Sequence, residues 1–266
     1  MFAFLKRQLR KPRNDREWSL DLRILPEIVF NEDGTITIKN IRNFVYRSVT
    51  DYTPRYYDRT IHVSQIQNVW FMVEPFSLLA AHTLLSFGLS DGTYIAISIE
   101  IRKQKNQKFS QWLVLFFLRR HELIYVVGDE HDLIRLRTNH RLDNVYLYPL
   151  TLTSQDVQEL FLHMLKRAQH IQEQPEFYNP FTNTCLTNII DHIREVTHTH
   201  IPFNYKILIA TLADRYAYNI GLINNSLPFK MLKKKHHINT RALQHQEGLG
   251  FSKLIREDNL TIDSME

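Results

Sequence analysis

"AHTLLSFGLSDGTYIAISIEIR", residues 81–102, is the stretch on which the fold turns. Asp91-Gly92 is a strong hairpin signal between two apolar, alternating runs. In the second run Ile95, Ile97, Ile99 and Ile101 point one way, and Ala96, Ser98, Glu100 and Arg102 the other. A strand backed by isoleucine that carries Ser, Glu and Arg in front needs partners for that polar face. His82 stands in the facing run, within apolar "LLAAHTLLSF" (residues 78–87), where an imidazole needs a hydrogen-bond partner or a function. A three-residue loop, Ser90-Asp91-Gly92, puts Glu100 across from His82; a two-residue loop, Asp91-Gly92, puts Ile101 there. The spacing leaves both registers open.

Outward from the hairpin, the chain from Trp18 to Leu150 reads mostly as β. "GTITIKNIRNF" sets Ile36, Ile38 and Ile41 among polar positions, and "IHVSQIQNVWFMV" leads into a buried strand. "QWLVLFFL", "ELIYVV", "DLIRLRT" and "NVYLYPL" are expected to add further strands. At Thr153 the period changes. Val157, Leu160, Phe161, Met164, Leu165, Ala168 and Ile171 recur at helical spacing, with Thr153 and Asp156 as a capping pair and Pro175 as the stop. After "EFYNPFTN" a second helix carries Leu186, Ile189, Ile190, Ile193 and Val196 on one face, with Thr182 or Asn183 as its N-cap. A third helical stretch, roughly Tyr205 to Tyr218, precedes "GLINNSLPF" and a polar, basic tail. Strands first and helices after predict an α+β domain.

Cys185, the single cysteine, falls in the first turn of the second helix. A lone helical cysteine is most often a small core hydrophobe. A first-turn thiol, however, faces unpaired backbone N–H groups and the positive end of the helix dipole, which favour thiolate and offer donors to an oxyanion. Such a nucleophile needs a histidine base and a group to orient it. His82, with Glu100 or Ser98, is the candidate. His192, His198 and His200 with Asp191 lack a central i, i+4 pair and a convincing fourth ligand, so no metal is expected.

Composition bounds the alternatives. With 266 residues, 44% of them hydrophobic and 23% charged, the chain has the balance of a globular protein with a sizeable core. Seven glycines and no G-x-G-x-x-G or P-loop pattern argue against nucleotide chemistry of those kinds, and no cofactor is expected. The excess charge of +5 and a pI of about 9.2 come partly from Lys6, Arg7, Arg10, Lys11 and Arg13 and partly from Lys233, Lys234 and Lys235. Those runs read first as solvated surface; they also suit an anionic membrane surface. No aromatic-interleaved basic motif or zinc-finger spacing points to nucleic acid. One cysteine cannot make an intrachain disulfide. The longest apolar run, Trp112 to Leu118, is too short to span a bilayer, and no secretory signal is visible. The expectation is a soluble chain, compatible with an upstream membrane anchor.

The blocks "AHTLLSF…DGTYIAISIEIR", "YVVGDEHDLIRLRTNHRLDNVYLYPL" and "PEFYNPFTNTCLTNI" together resemble the Lnb N-terminal periplasmic domain family of bacterial proteins. "ILPEIVFNEDGTITIKNIRNFVYR" and "YAYNIGLI" fit it too, so the resemblance runs from about Trp18 to about Arg256. It departs from the family in placing Thr184, not asparagine, before Cys185, with Asn183 one position earlier. The resemblance implies a permuted papain-like fold, an antiparallel sheet packed against the helix carrying the cysteine. A similar order occurs in lecithin-retinol acyltransferase-like enzymes. It further implies Cys185 as the nucleophile that carries an acyl thioester, His82 as general base and Glu100 as its partner. Ser98, Arg102, Arg137, Asn179 and Asn183 would line the site or serve the oxyanion. The expected activity is acyl transfer from a phospholipid to an amine such as a lipoprotein N-terminus, at the extracytoplasmic face of the inner membrane. A thiol peptidase or amidase, or an inactive membrane-proximal binding domain, are the alternatives. The expected layout is a basic segment over residues 1–17, one domain over 18–256 and a polar tail over 257–266.

Overall fold

A computed structural model describes residues 11–78, 80–105, 107, 121–198, 201, 209–245 and 250–257. The expected strand "QWLVLFFL", the bases Lys6, Arg7 and Arg10, His200, the start of the third helical stretch and residues 258–266 lie outside them. The strands are β1 (Glu27–Phe30), β2 (Thr35–Arg42), β3 (Val45–Tyr46), β4 (Tyr52–Thr53), β5 (Tyr56–His62), β6 (Ile66–Pro75), β7 (Ala81–Leu89), β8 (Tyr94–Arg102), β9 (Glu122–Asp129) and β10 (Tyr146–Pro149). One sheet runs in the order β1-β2-β9-β8-β7-β6-β10, with β5 also paired to β2, and β3 and β4 form a separate ribbon. All its ladders are antiparallel except the single parallel pair Arg42↔Gly128 between β2 and β9. The uneven isoleucine spacing in β2 has a local cause. The register slips between Ile38 and Ile41, where Asn40 takes φ 60°, so Ile36, Ile38 and Ile41 all stay buried.

The hairpin of β7 and β8 settles the register. Leu89 N bonds Thr93 O and Gly92 N bonds Leu89 O, which closes a three-residue loop with Gly92 at φ 79°. Leu84 accordingly pairs with Ser98 and Phe87 with Ile95. Each face of the sheet is covered. On one face Leu85, Phe87, Ile95, Ile97 and Ile99 pack under α2 (Ser154–Glu173) and α3 (Cys185–Thr197). Thr153 caps α2 with Asp156 as the sequence predicts. On the other face Leu84, Ala96, Ile124 and Val126 meet Leu133 and Ile134 of α1 (Glu130–Arg135), together with residues from the C-terminal region.

Two expectations need correction. "DLIRLRT" is not a strand: Asp129 caps α1 by accepting from His131 N, and Leu136–Arg141 continue as a π-helical turn. The I-R-L-R alternation imitates a strand, yet Leu133, Ile134 and Arg137 also satisfy helical spacing, and the cap decides between them. Nor is the region after "GLINNSLPF" merely a polar tail. After α4 (Ala213–Asn219) it forms α5 (Phe229–Lys235), α6 (Asn239–Gln244) and α7 (Phe251–Leu254). Ile238, Ala242, Phe251 and Ile255 from this region join the core of the second face. The lysine run of 233–235 is the last turn of α5, where cations suit the helix dipole.

Candidate active site

Thr184, one residue later than expected, caps α3. Its Oγ1 accepts from Thr187 N at 3.1 Å, and Thr187 Oγ1 accepts from Thr184 N at 2.8 Å. Asn188 N goes to Thr184 O. Cys185 is thus the first helical residue, and the N–H groups of Cys185 and Leu186 are first-turn donors that neither cap nor helix uses. The loop before it is closed by reciprocal backbone bonds between Asn179 and Asn183. Asn183 is committed to that loop: its amide donates to Glu176 Oε2 and Phe177 O and accepts from Asn188 Nδ2. Asn179 Oδ1 accepts from Phe181 N. Asn183 therefore shapes the approach to Cys185, and its side-chain donors point into the loop.

His82 Nε2 lies 2.8 Å from Ser98 Oγ and 3.3 Å from Glu100 Oε1. Ser98 donates its own proton to Glu100 Oε1 at 2.7 Å, so its oxygen can only accept from the imidazole. This sets the Nε2–H tautomer and leaves the Nδ1 lone pair for a proton. The thiol of Cys185 stands near the same imidazole, close enough for each to favour the other's charged form. Thr83 also stands near the sulfur, and its buried hydroxyl has no hydrogen-bond partner among the described residues. The β7–β8 ladder ends at Leu84↔Ser98, so the imidazole and the thiol meet beyond its last pair.

Electrostatics favour the charged pair. Burial works against the imidazolium, but the adjacent Glu100 carboxylate overrides it and raises His82 to about 9. Burial likewise favours the neutral thiol, yet the neighbouring His82, its imidazolium charge and Thr83 hold Cys185 below its ordinary value. Glu100 is held well below the carboxylate range against its burial, by His82, Arg137 and Ser98. The side chains of His82 and Glu100 keep 13% and 24% exposure, so the site opens to solvent through the carboxylate.

Behind this trio stands a residue that sequence reasoning passed over. Glu74 pairs with His82 across β6 and β7, is 1% exposed, and accepts from Arg137 Nε at 2.7 Å. Arg137, from the π-helical turn, also donates Nη2 to Glu100 at 3.0 Å, so one guanidinium bridges the carboxylates on either side of the histidine. A glutamate inside the apolar run "NVWFMVEPF" was the available signal. Arg102 sits apart from the site. It stands on the same face as Glu100, but its guanidinium donates to Leu22 O, Arg23 O and Asn14 Oδ1 and stacks on Trp18 at 4.3 Å, clamping the N-terminal segment to the sheet.

Below Cys185 on α3, His192 and Asn188 join Tyr125 of β9. Tyr125 donates to Asn188 Oδ1 at 3.1 Å, so it accepts from His192 Nε2 at 2.8 Å, and His192 Nδ1 accepts from His163 at 2.8 Å. Burial first, then His163 and Arg167, push His192 down to about 3, so it stays neutral. Among the described residues no group of three or more His, Cys, Asp and Glu could hold a metal ion. No helix among them is long and apolar enough to cross a membrane.

The model of one family, described as the Lnb N-terminal periplasmic domain, matches residues 52–212, a span that holds Glu74, His82, Ser98, Glu100, Arg137 and Cys185. Neither a curated protein nor a solved structure matches the chain. The match covers more than half of the sequence, and the chain belongs to the Lnb N-terminal periplasmic domain family.

Proposed function

We propose that the protein is a thiol-dependent acyltransferase whose sheet and cysteine helix form a permuted papain-like arrangement. The observation that carries this reading is the contact of a first-turn thiol with a histidine whose far nitrogen is held by Ser98 and Glu100. The Cys185 thiolate attacks an ester carbonyl. The N–H groups of Cys185 and Leu186 receive the oxyanion. The imidazolium of His82 gives its proton to the leaving alcohol, and an acyl thioester remains on the sulfur. An incoming amine attacks that thioester, His82 takes the amine proton, and the thiolate leaves. Glu100 stabilises the imidazolium throughout, and Arg137 with Glu74 holds Glu100 in place.

A phospholipid donor and a lipoprotein or other amine acceptor, at the periplasmic face of the inner membrane, suit the family and the surface. Leu78 is 88% exposed and Phe76 41% in the turn that leads into His82, and Phe181 is 54% exposed in the loop that leads into Cys185. Large apolar side chains in both delivering loops suit a lipid surface. The test is incubation with vesicles of acyl-labelled phospholipid, followed by mass analysis of the peptide containing Cys185. An acyl group on Cys185, absent from Cys185→Ala, is expected. An unlabelled cysteine together with cleavage of a peptide would replace this reading by a thiol hydrolase.

A further inference from the structure

Thr83, next to His82 on β7, carries a hydroxyl that the fold does not use. Among the described residues Thr83, Ser86, Ser98 and Thr138 each show 0% exposure. Ser86 donates to Glu130, Ser98 to Glu100 and Thr138 to Ile134 O. The Thr83 hydroxyl has no hydrogen-bond partner among those residues. A buried, unpaired hydroxyl costs stability, and valine would fill the same shape without that cost. The role of this hydroxyl is therefore not to hold the strand.

Its place on the strand points to the group it serves. Alternation sets Thr83 on the face that carries Leu85 and Phe87, the face covered by α3. On one side Thr83 pairs with Val73 of β6; on the other the ladder to β8 stops at Leu84. Cys185 begins α3 and belongs to the same core cluster as Leu85 and Phe87. The sulfur lies near Thr83, whose hydroxyl and backbone N–H both favour its anion. His82 meets the sulfur from the same strand, with Glu100 of β8 behind it. Tyr178, in the loop before α3, also feels Cys185; burial and that charge keep its phenol protonated.

We infer that Thr83 is a further catalytic residue: once the thiol proton has passed to His82, the Thr83 hydroxyl donates to the sulfur anion. The thiol proton goes to Nδ1 of the imidazole, and the hydroxyl keeps its own proton on Oγ1. A neutral thiol is a weak acceptor and an anion a strong one, so the bond forms with the charge and is given up when the sulfur is acylated. The inference deepens the reading of Cys185 as a nucleophile and rests on it.

The experiment is alkylation of Cys185, the single cysteine, by iodoacetamide in the full chain over a range of pH. The acid limb of the rate follows ionisation of the thiol. In Thr83→Val that limb should move up by about one pH unit or more, as expected for losing a hydrogen bond to a charged group. Thr83→Ser, which keeps the hydroxyl, should leave the limb near its wild-type place. At a pH below the limb the urea midpoint of Thr83→Val should equal or exceed that of wild type, since an unpaired buried hydroxyl is gone. Thr83→Ala makes the same test of the limb should the valine variant not fold. A folded Thr83→Val or Thr83→Ala with an unmoved limb would overturn the assignment, as would a Thr83→Ser limb displaced as far as that of Thr83→Val. A urea midpoint of Thr83→Val well below that of wild type would assign the hydroxyl to the fold instead. Alkylation needs no acyl donor, so the two readings fail separately. A limb that moves in a protein whose Cys185 never takes up an acyl group keeps the role of Thr83 and removes acyl transfer. Acylated Cys185 with a limb that Thr83→Val leaves in place does the reverse.

Discussion

Two buried ion clusters on one side of the sheet use the same kinds of residue for different ends. In the first, Asp132 of α1 is fully buried and accepts from Arg42 Nε and Nη2, both at 2.9 Å, from Phe44 N and from Tyr46 OH. Arg42 gives its remaining hydrogen bond to Asp21 O. In the second, Arg137 from the following π-helical turn holds Glu74 and Glu100, and Glu100 passes the charge to His82 and on to Cys185. Donors surround Asp132 on both oxygens; on Glu100 all three come to Oε1, and the side chain keeps contact with solvent. A closed cluster holds strands and helix together. An open cluster ends in a group that can accept and return a proton.

Substitutions break the two clusters in different observables. The largest effect expected is on chemistry. Cys185→Ser should lower acyl transfer by about 10³-fold or more, with the denaturation midpoint near that of wild type. Asp132→Asn should do the opposite, costing about 3–5 kcal/mol of stability in a urea titration because Arg42 is left buried without its charge partner. A folded remainder of that variant should alkylate at Cys185 at the wild-type rate; a large drop would mean that the two clusters act as one unit.

Glu100→Gln should reduce turnover by about 10²-fold while Asp132 and its partners stay intact. Its signature is in pH. His82 is raised to about 9 in the fold, so turnover should fall on the alkaline side near pH 9, where the imidazolium is lost. That apparent value belongs to the Cys–His pair. Because the folded value lies above the unfolded one, near 6.5, the stabilisation by the His82–Glu100 pair is full below about pH 6.5 and disappears as pH rises through about 9. In Glu100→Gln only Cys185 is left to oppose burial, so the alkaline limb should move down. An unmoved limb would assign it to another group. The smallest effect is Thr184→Ala, which removes the α3 cap and should cost about 1 kcal/mol. If the cap also positions the thiol, the alkylation rate of Cys185 should fall with it.

Most of the framework is legible along the chain, because periodicity is a local property. The alternation in β7 and β8, the capping pair at the start of α2 and the first-turn place of Cys185 follow from residues within a few positions of one another. The blocks around His82, Glu100 and Cys185 also carry the family membership that the match over residues 52–212 establishes. Local pattern failed where two periods coincide, as in "DLIRLRT", and where a cap lay one residue from the expected one.

What the chain could not decide alone was which polar groups meet. Glu100 and Ile101 were equal candidates to face His82 until the Gly92 turn closed a three-residue loop. Arg102 and Arg137 both read as site residues. Their separation follows from which segment crosses each side chain, residues 14–23 over one and β6 with His82 beside the other. Glu74 became part of the site only through pairing across strands. A side chain's own chemistry and local period are written in its neighbours along the sequence. The partner of a buried charge is set by register and by long-range crossings, which arise only when the sheet and its covering helices assemble.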